Sequence, residues 1–166
     1  MGKHRSKQRA SRKRGCPRAI ENRQNKLPVS LKALELFLQK LNSELGLAQN
    51  SSYVVFLNDV EMKRLNTKFR KKPKTTDVLS FPSELRTHPR SLRVRVRQVR
   101  EQFLGDIAIS PTVALRNAAT FGRTLSEEFC VLILHGLLHL LGYDHETDRG
   151  EMERIEATLR TRLGLT

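Results

Sequence analysis

The sequence predicts a small α+β domain in which a mixed β-sheet of about four strands packs with helices. Two observations carry that class. Strand-like runs gather in the middle of the chain, three- and four-residue apolar periodicity lies mostly around them, and nothing repeats internally. With 166 residues, 38% of them apolar, seven Phe and no Trp, the chain supports one modest core and no second domain.

Residues 1 to 26 are rich in Lys, Arg, Ser, Gln and Asn and nearly devoid of apolar side chains. They bury too little surface to offset chain entropy, so a disordered basic tail is expected there and a single domain over residues 27 to 166. After Pro28, the recurrence of Leu31, Leu34, Leu36, Phe37, Leu38, Leu41 and Leu45 predicts an amphipathic helix closing near Gly46. Ser52 to Leu57 (SYVVFL) reads as a short buried strand. Asn58 or Asp59 can cap a helix through Val60, Met62 and Leu65 that is expected to fail before the basic run at Lys68. Asp77 to Phe81 (DVLSF) predicts a strand stopped by Pro82. Arg93 to Arg100 alternates Arg and Val until Gln98, which suits a strand with one cationic and one packed face. Phe103 to Ser110 (FLGDIAIS) gives the next strand, with Gly105 marking a bulge or a close backbone approach. A helix is expected from Pro111 to about Phe121, ended by Gly122. A longer one runs from Leu125 to Leu141, with Thr124 and Glu127 spaced as a capping box and Gly142 as its stop. Asp148 to Leu163 gives a last amphipathic helix through Met152, Ile155, Leu159 and Leu163.

The apolar run Phe129 to Leu134 is too short to span a bilayer, and its extension to Leu141 is interrupted by His135 and His139, so no membrane partner is expected. The two cysteines, Cys16 and Cys130, fall in the tail and mid-helix; with no apolar signal region behind the basic N-terminus, a reducing, cytoplasmic setting is expected. The formal charge of +14 is local: residues 1 to 26 hold ten Lys or Arg against Glu21 alone, a net +9. The rest of the excess concentrates at Lys68, Arg70, Lys71, Lys72 and Lys74, and at Arg86, Arg90, Arg93, Arg95, Arg97 and Arg100. A polyanion is the natural partner of such a surface, because each neutralised phosphate releases condensed counterions. A merely solvated cationic face is the plainer account of the same charges.

His135 and His139 are four apart on a predicted helix, so their imidazoles share a face one turn apart. Gly142 breaks that helix three residues later and lets His145 fold back as a third ligand. Three imidazoles at about 2.0 to 2.1 Å make a zinc environment with the fourth position open for water or substrate. Such an ion lowers the pKa of its bound water to about 7. A closed structural site needs a fourth protein ligand. Cys130, five residues before His135, lies about 500 degrees around the helix and off the ligand face, which leaves His88 or Asp144. Asp106, Asp144 and Glu146 are candidates to orient the ligand imidazoles.

The spacing HxxxHxxGxxH is shared with the metzincin proteases, whose fuller form places a general base, Glu, directly after the first His. Here that position is Gly136. A metzincin-like zinc helix without its proteolytic base favours phosphodiester cleavage over peptide hydrolysis, since zinc can polarise a phosphoryl oxygen and the basic surface would hold a polyanion.

The segment His135 to His145 (HGLLHLLGYDH) resembles the signature of the YbeY family of bacterial endoribonucleases and rRNA maturation factors. Leu65 to Arg70 (LNTKFR), Thr76 to Pro82 (TDVLSFP) and Leu104 to Ile107 (LGDI) resemble further family stretches in the same order, and Met152 and Glu153 sit where the family keeps Met and Glu. The resemblance covers most of residues 30 to 165. It implies a single-strand-specific, zinc-dependent endoribonuclease holding one Zn2+ and acting in 16S rRNA 3′-end maturation and ribosome quality control in the cytoplasm. It also implies ribosomal RNA and the small ribosomal subunit as partners, with ribosomal proteins or assembly GTPases beside them. The family's metal ligands fall on His135, His139 and His145 and its functional arginine on Arg70, where a guanidinium could clamp a phosphate or stabilise charge developing on it. The nucleophile, water at the ion or a ribose hydroxyl, stays open, and so does the metal, since nickel, copper and iron also accept imidazole.

The basic tail and the Arg-rich segment Ser83 to Glu101 depart from the family pattern. The tail suits an RNA- or ribosome-binding arm or a solvated extension, and its Arg-rich, acid-poor composition also has something of an organelle transit peptide. Two rivals remain: a metalloprotease-like hydrolase with a relocated base, and a non-catalytic ribosome assembly factor in which zinc only secures the fold.

Overall fold

The computed structural model describes residues 19–83, 102–145 and 147–165. Within them lie strands β1 (Ile20–Asn22), β2 (Ser52–Phe56), β3 (Val78–Pro82) and β4 (Gly105–Ile109). The helices are α1 (Leu31–Glu44), α2 (Asp59–Arg70), α3 (Pro111–Thr120), α4 (Leu125–Leu140) and α5 (Glu151–Leu163). The strands form one mixed sheet in the order β1-β2-β4-β3, with β1, β2 and β4 parallel and β3 antiparallel to β4.

Strand alternation divides the core into two. Val54 and Phe56 of β2 pair in register with Ile107 and Ile109 of β4 and face a large cluster shared with α1, α4 and α5. Val55, Leu79 and Ala108 face the other side, where Met62 of α2 covers them. Helix α4 is apolar nearly all round because it is covered nearly all round, packing on β3, β4, α1, α3 and α5.

Local chemistry sets the helix ends. The Asn58 side chain caps α2 by accepting from Glu61 N–H at 3.0 Å, and α2 carries Asp59 and Glu61 in its first turn and Lys68 and Arg70 in its last, matching the helix dipole. That match carries α2 through to Arg70, past its expected end before Lys68. Ser110 caps α3, and Thr124 with Glu127 forms a reciprocal capping box on α4. The last helix starts at Glu151, later than Asp148, because the Asp148 carboxylate instead accepts from Gly150 and Met152 N–H at 2.8 Å each.

The described residues hold a four-stranded sheet, and one of its strands, β1, was not expected. Residues 20–22 stand inside the fold, so the expected boundary between tail and domain at residue 26 is corrected: Ile20 pairs with Val54 and is fully buried. A three-residue strand burying one Ile is too short for any alternation to register. The expected strand at 93–100 and the second arginine cluster lie outside the described residues. No described helix is long and apolar enough to cross a membrane.

Replacing Ile20 by Ala is expected to cost about 2–5 kcal/mol, the usual range for truncating a buried Ile, read as a lower urea midpoint at unchanged slope. A midpoint equal to that of the parent chain would remove β1 from the cooperative fold.

Candidate metal centre

The C-terminal half of α4 carries His135 and His139 one turn apart, and the helix stops at once. Gly142 takes φ +92°, a conformation that L side chains rarely adopt, while Gly142 N–H donates to His139 O at 2.9 Å and Tyr143 N–H to Leu138 O at 3.1 Å. The reversal brings His145 back over the same face. One ring nitrogen from each of the three imidazoles lies within 4.8 Å of the others. The Nε2 atoms of His135 and His139 are 3.1 Å apart, close to the edge of about 3.3 Å that two tetrahedral Zn–N bonds would subtend. A neutral N3 donor set with this spacing fits a zinc-like ion.

Glu156 of α5 fixes one of these rings. Its Oε2 lies 2.9 Å from His135 Nδ1, and its other oxygen accepts from Arg160, one turn further along α5. An ionised carboxylate only accepts, so Nδ1 carries the hydrogen and the Nε2 lone pair of His135 is turned toward the cleft. Burial raises the Glu156 carboxyl, but its hydrogen bond to His135 and the adjacent Arg160 guanidinium outweigh this and hold it below its ordinary value of 4.5. Burial first, and the neighbouring His135 and His145 second, lower His139 below 6.5, which favours the neutral imidazole that a metal requires.

These groups line a cleft of about 920 Å³ whose wall includes Arg70, the last residue of α2, together with β3 and Arg160. Arg70 is exposed, and the chain leaves α2 through Lys71 in the left-handed conformation at φ +58°. The buried Asn66 side chain donates to Lys74 O at 2.7 Å and pins that turn. His135, His139, His145 and Arg70, read from the sequence as a site, therefore share one cavity.

The expected orienting carboxylates fare differently. Asp144 lies on the cleft wall, with Thr147 donating to it. Asp106 does not reach the site: it alternates with Ile107, whose side chain faces α4, so it stands on the opposite sheet face beside Tyr53 and Phe81. Glu146 and His88 lie outside the described residues. Cys130 is not among the clustered ligands, and burial pushes its thiol up to about 12. Glu156 was missed because Glu156 and Arg160, four apart on an amphipathic helix, have the pattern of an ordinary surface pair.

The family profile described as Endoribonuclease YbeY matches residues 19–164. The chain belongs to that family. Relatives named Endoribonuclease YbeY include one from Koribacter versatilis, 42% identical over 82% of this chain and 80% of its own. One from Solibacter usitatus is 41% identical over 83% and 84% of the two chains. The solution structure of a Thermotoga maritima protein superposes with a TM-score of 0.55 at 26% identity, covering 87% of each chain.

Of the stretches that resemble YbeY, LNTKFR and TDVLSFP contribute to the wall of this cleft beside the histidine segment, and LGDI packs behind it. In TDVLSFP, the Asp77 carboxylate accepts from Val78 N–H at 2.8 Å and from Asn117 of α3 at 3.0 Å, tying the start of β3 to its neighbour. Ser80 of the same stretch donates to Gly136 O at 3.0 Å. In LGDI, Gly105 has φ +143°, and a Cβ there would meet Phe81 O at 2.1 Å. A Cβ on Gly136 would lie 2.8 Å from Ile107 Cγ2 and 3.2 Å from Ser80 Oγ. The position that holds the metzincin base thus faces a packed sheet in this family member, with no room for a carboxylate.

Two outcomes follow from this geometry. Gly136→Ala is expected to lose about 1–3 kcal/mol of stability by overpacking, read by denaturant unfolding; a neutral result would mean that α4 can back away from β4 at no cost. Glu156→Gln is expected to weaken metal affinity about 10–100-fold in a chelator competition. Because the folded Glu156 is held below 4.5, it stabilises the fold above its unfolded value and loses that contribution as pH falls through its folded value, so Glu156→Gln should also flatten the acid limb of stability against pH. An unchanged limb and an unchanged metal affinity would remove Glu156 from the site.

Proposed function

We propose that this chain is a zinc-dependent endoribonuclease acting on single-stranded RNA, with 16S rRNA 3′-end maturation and ribosome quality control in the cytoplasm as its setting. The observation that supports this most is the enclosure of His135, His139, His145 and Arg70 in one cleft of a YbeY family member. His135, His139 and His145 would hold the ion, with Glu156 orienting His135. Zinc bound there supplies a Lewis acid for a phosphoryl oxygen and a means of activating water at neutral pH.

Arg70 has a different task. A guanidinium offers paired N–H donors to two phosphate oxygens, so Arg70 can seat the scissile phosphate and favour the build-up of negative charge on it. Exposed Lys68, Lys71, Lys72 and Lys74 extend a cationic track from the same helix end, which suits a backbone of successive phosphates. The small ribosomal subunit, ribosomal proteins and assembly GTPases belong to the same reading as partners. Peptide hydrolysis has no support at Gly136, whose surroundings leave no space for the base.

A cleavage assay on ribosomal RNA comparing the parent chain, Arg70→Ala and His135→Ala tests the proposal. Arg70→Ala is expected to slow cleavage about 100-fold or more at retained metal content, and His135→Ala to lose both metal and cleavage. Chelation should abolish cleavage while the helical circular dichroism persists, and raising salt should weaken RNA binding steeply. Equal cleavage by all three proteins would sink the enzymatic reading. Unfolding on chelation, with Arg70→Ala still active, would favour an assembly factor with a structural ion.

A further inference from the structure

Two aromatic rings on the cleft have no part in holding an ion or a phosphate. Phe69, next to Arg70, and Phe121, which follows α3, are 55% and 61% exposed although both line the cavity. Each has a cation beside it: Lys68 Nζ lies 5.0 Å from the Phe69 ring centroid, and Arg123 Cζ lies 5.0 Å from that of Phe121. Arg123 is itself held, through a 2.8 Å ion pair, by Glu128, a buried carboxylate in the first turn of α4.

The floor of the cleft gives these rings a spacing. Glu128, Val131, Leu132, His135 and His139 recur every three or four residues and form one stripe of α4 along the cavity. From Glu128 to His139 the stripe runs about 16 Å at 1.5 Å per residue. At about 3.4 Å per nucleotide of one duplex strand, about 16 Å corresponds to about five nucleotides, and an extended single strand spans it with fewer. Phe121 and Arg123 stand at the Glu128 end and the three histidines at the other.

We propose that Phe121, backed by Arg123, is a nucleobase-stacking subsite at the end of the cleft remote from the histidines, with Phe69 receiving a second base beside Arg70. The inference rests on the reading of the cleft as the site of RNA cleavage. An aromatic face accepts any base, so the subsite is indifferent to sequence. It is not indifferent to pairing, because duplex bases already stack on their neighbours and only an unpaired strand can turn a base onto a ring. Single-strand selection is then a property of two rings placed along α4, added to the phosphate attraction that any basic surface supplies.

The test is equilibrium binding of the full metal-loaded chain to phosphorothioate-linked RNA of three and six nucleotides and to a duplex, using Phe121→Leu, Phe121→Tyr and Phe69→Leu. Phe121→Leu keeps apolar bulk and removes the ring; it is expected to weaken the six-nucleotide single strand about 5- to 100-fold and the three-nucleotide strand much less. Phe121→Tyr should bind as the parent does. The slope of log affinity against log salt should stay the same in Phe121→Leu, since no phosphate contact is removed. A six-nucleotide affinity unchanged in Phe121→Leu, an equal loss for both lengths, or a loss as large in Phe121→Tyr would overturn the subsite, the first of these leaving the exposed ring as a contact for a protein. Failure of the parent chain to bind any of the RNAs would overturn the reading of the cleft, and the subsite with it.

Discussion

Helix α4 lies against the sheet at a distance that only a residue without a side chain allows. At Gly136 the helix backbone meets Ile107 of β4 and receives the Ser80 hydroxyl of β3, and a single added carbon would collide with the first. This contact fixes both the height and the rotation of α4. Rotation matters because His135 precedes Gly136 directly: with residue 136 turned into the sheet, residues 135 and 139 are carried round to the open side. Packing at Gly136 therefore sets which face of α4 the histidines occupy.

Electrostatics then refines what packing has placed. The His135–Glu156–Arg160 chain alternates donor and acceptor, so His135 Nδ1 and both Glu156 oxygens find partners and the imidazole is held in one tautomer. On the other wall, Asn66 and the left-handed turn at Lys71 hold the end of α2, and Arg70 is the last residue before that turn. Two helix C-termini, both negative ends of their dipoles, thus meet at the cleft: α2 ends there in cations, and α4 ends there in imidazoles.

Much of this was legible in the sequence wherever a local pattern carried the information. The capping box at Thr124 and Glu127 and the break at Gly142 bracketed α4, and the eleven-residue spacing of three histidines named the cluster. Legibility failed where the deciding interaction is non-local. Ile20 is a lone apolar residue in a cationic stretch, and only its pairing with Val54 makes it a strand. Glu156 looks like half of a surface pair until α5 docks against α4. Asp106 was misplaced because strand alternation could not be phased against a helix whose position was unknown. The close approach at Gly136 was read as the loss of a base, when its physical content is the approach itself.

Glu156 reaches the metal-ligand cluster from the final helix of the chain. Any ion that gains from an oriented His135 therefore gains from a docked α5, and by thermodynamic reciprocity an ion in the cluster must hold α5 in place to the same degree. If the three histidines hold an ion as proposed, α5 would in this sense report its occupancy: its tendency to detach, and so its exposure to proteolysis, would depend on free metal as well as on its own apolar face. Supply of a trace ion would then help determine how long the folded chain survives.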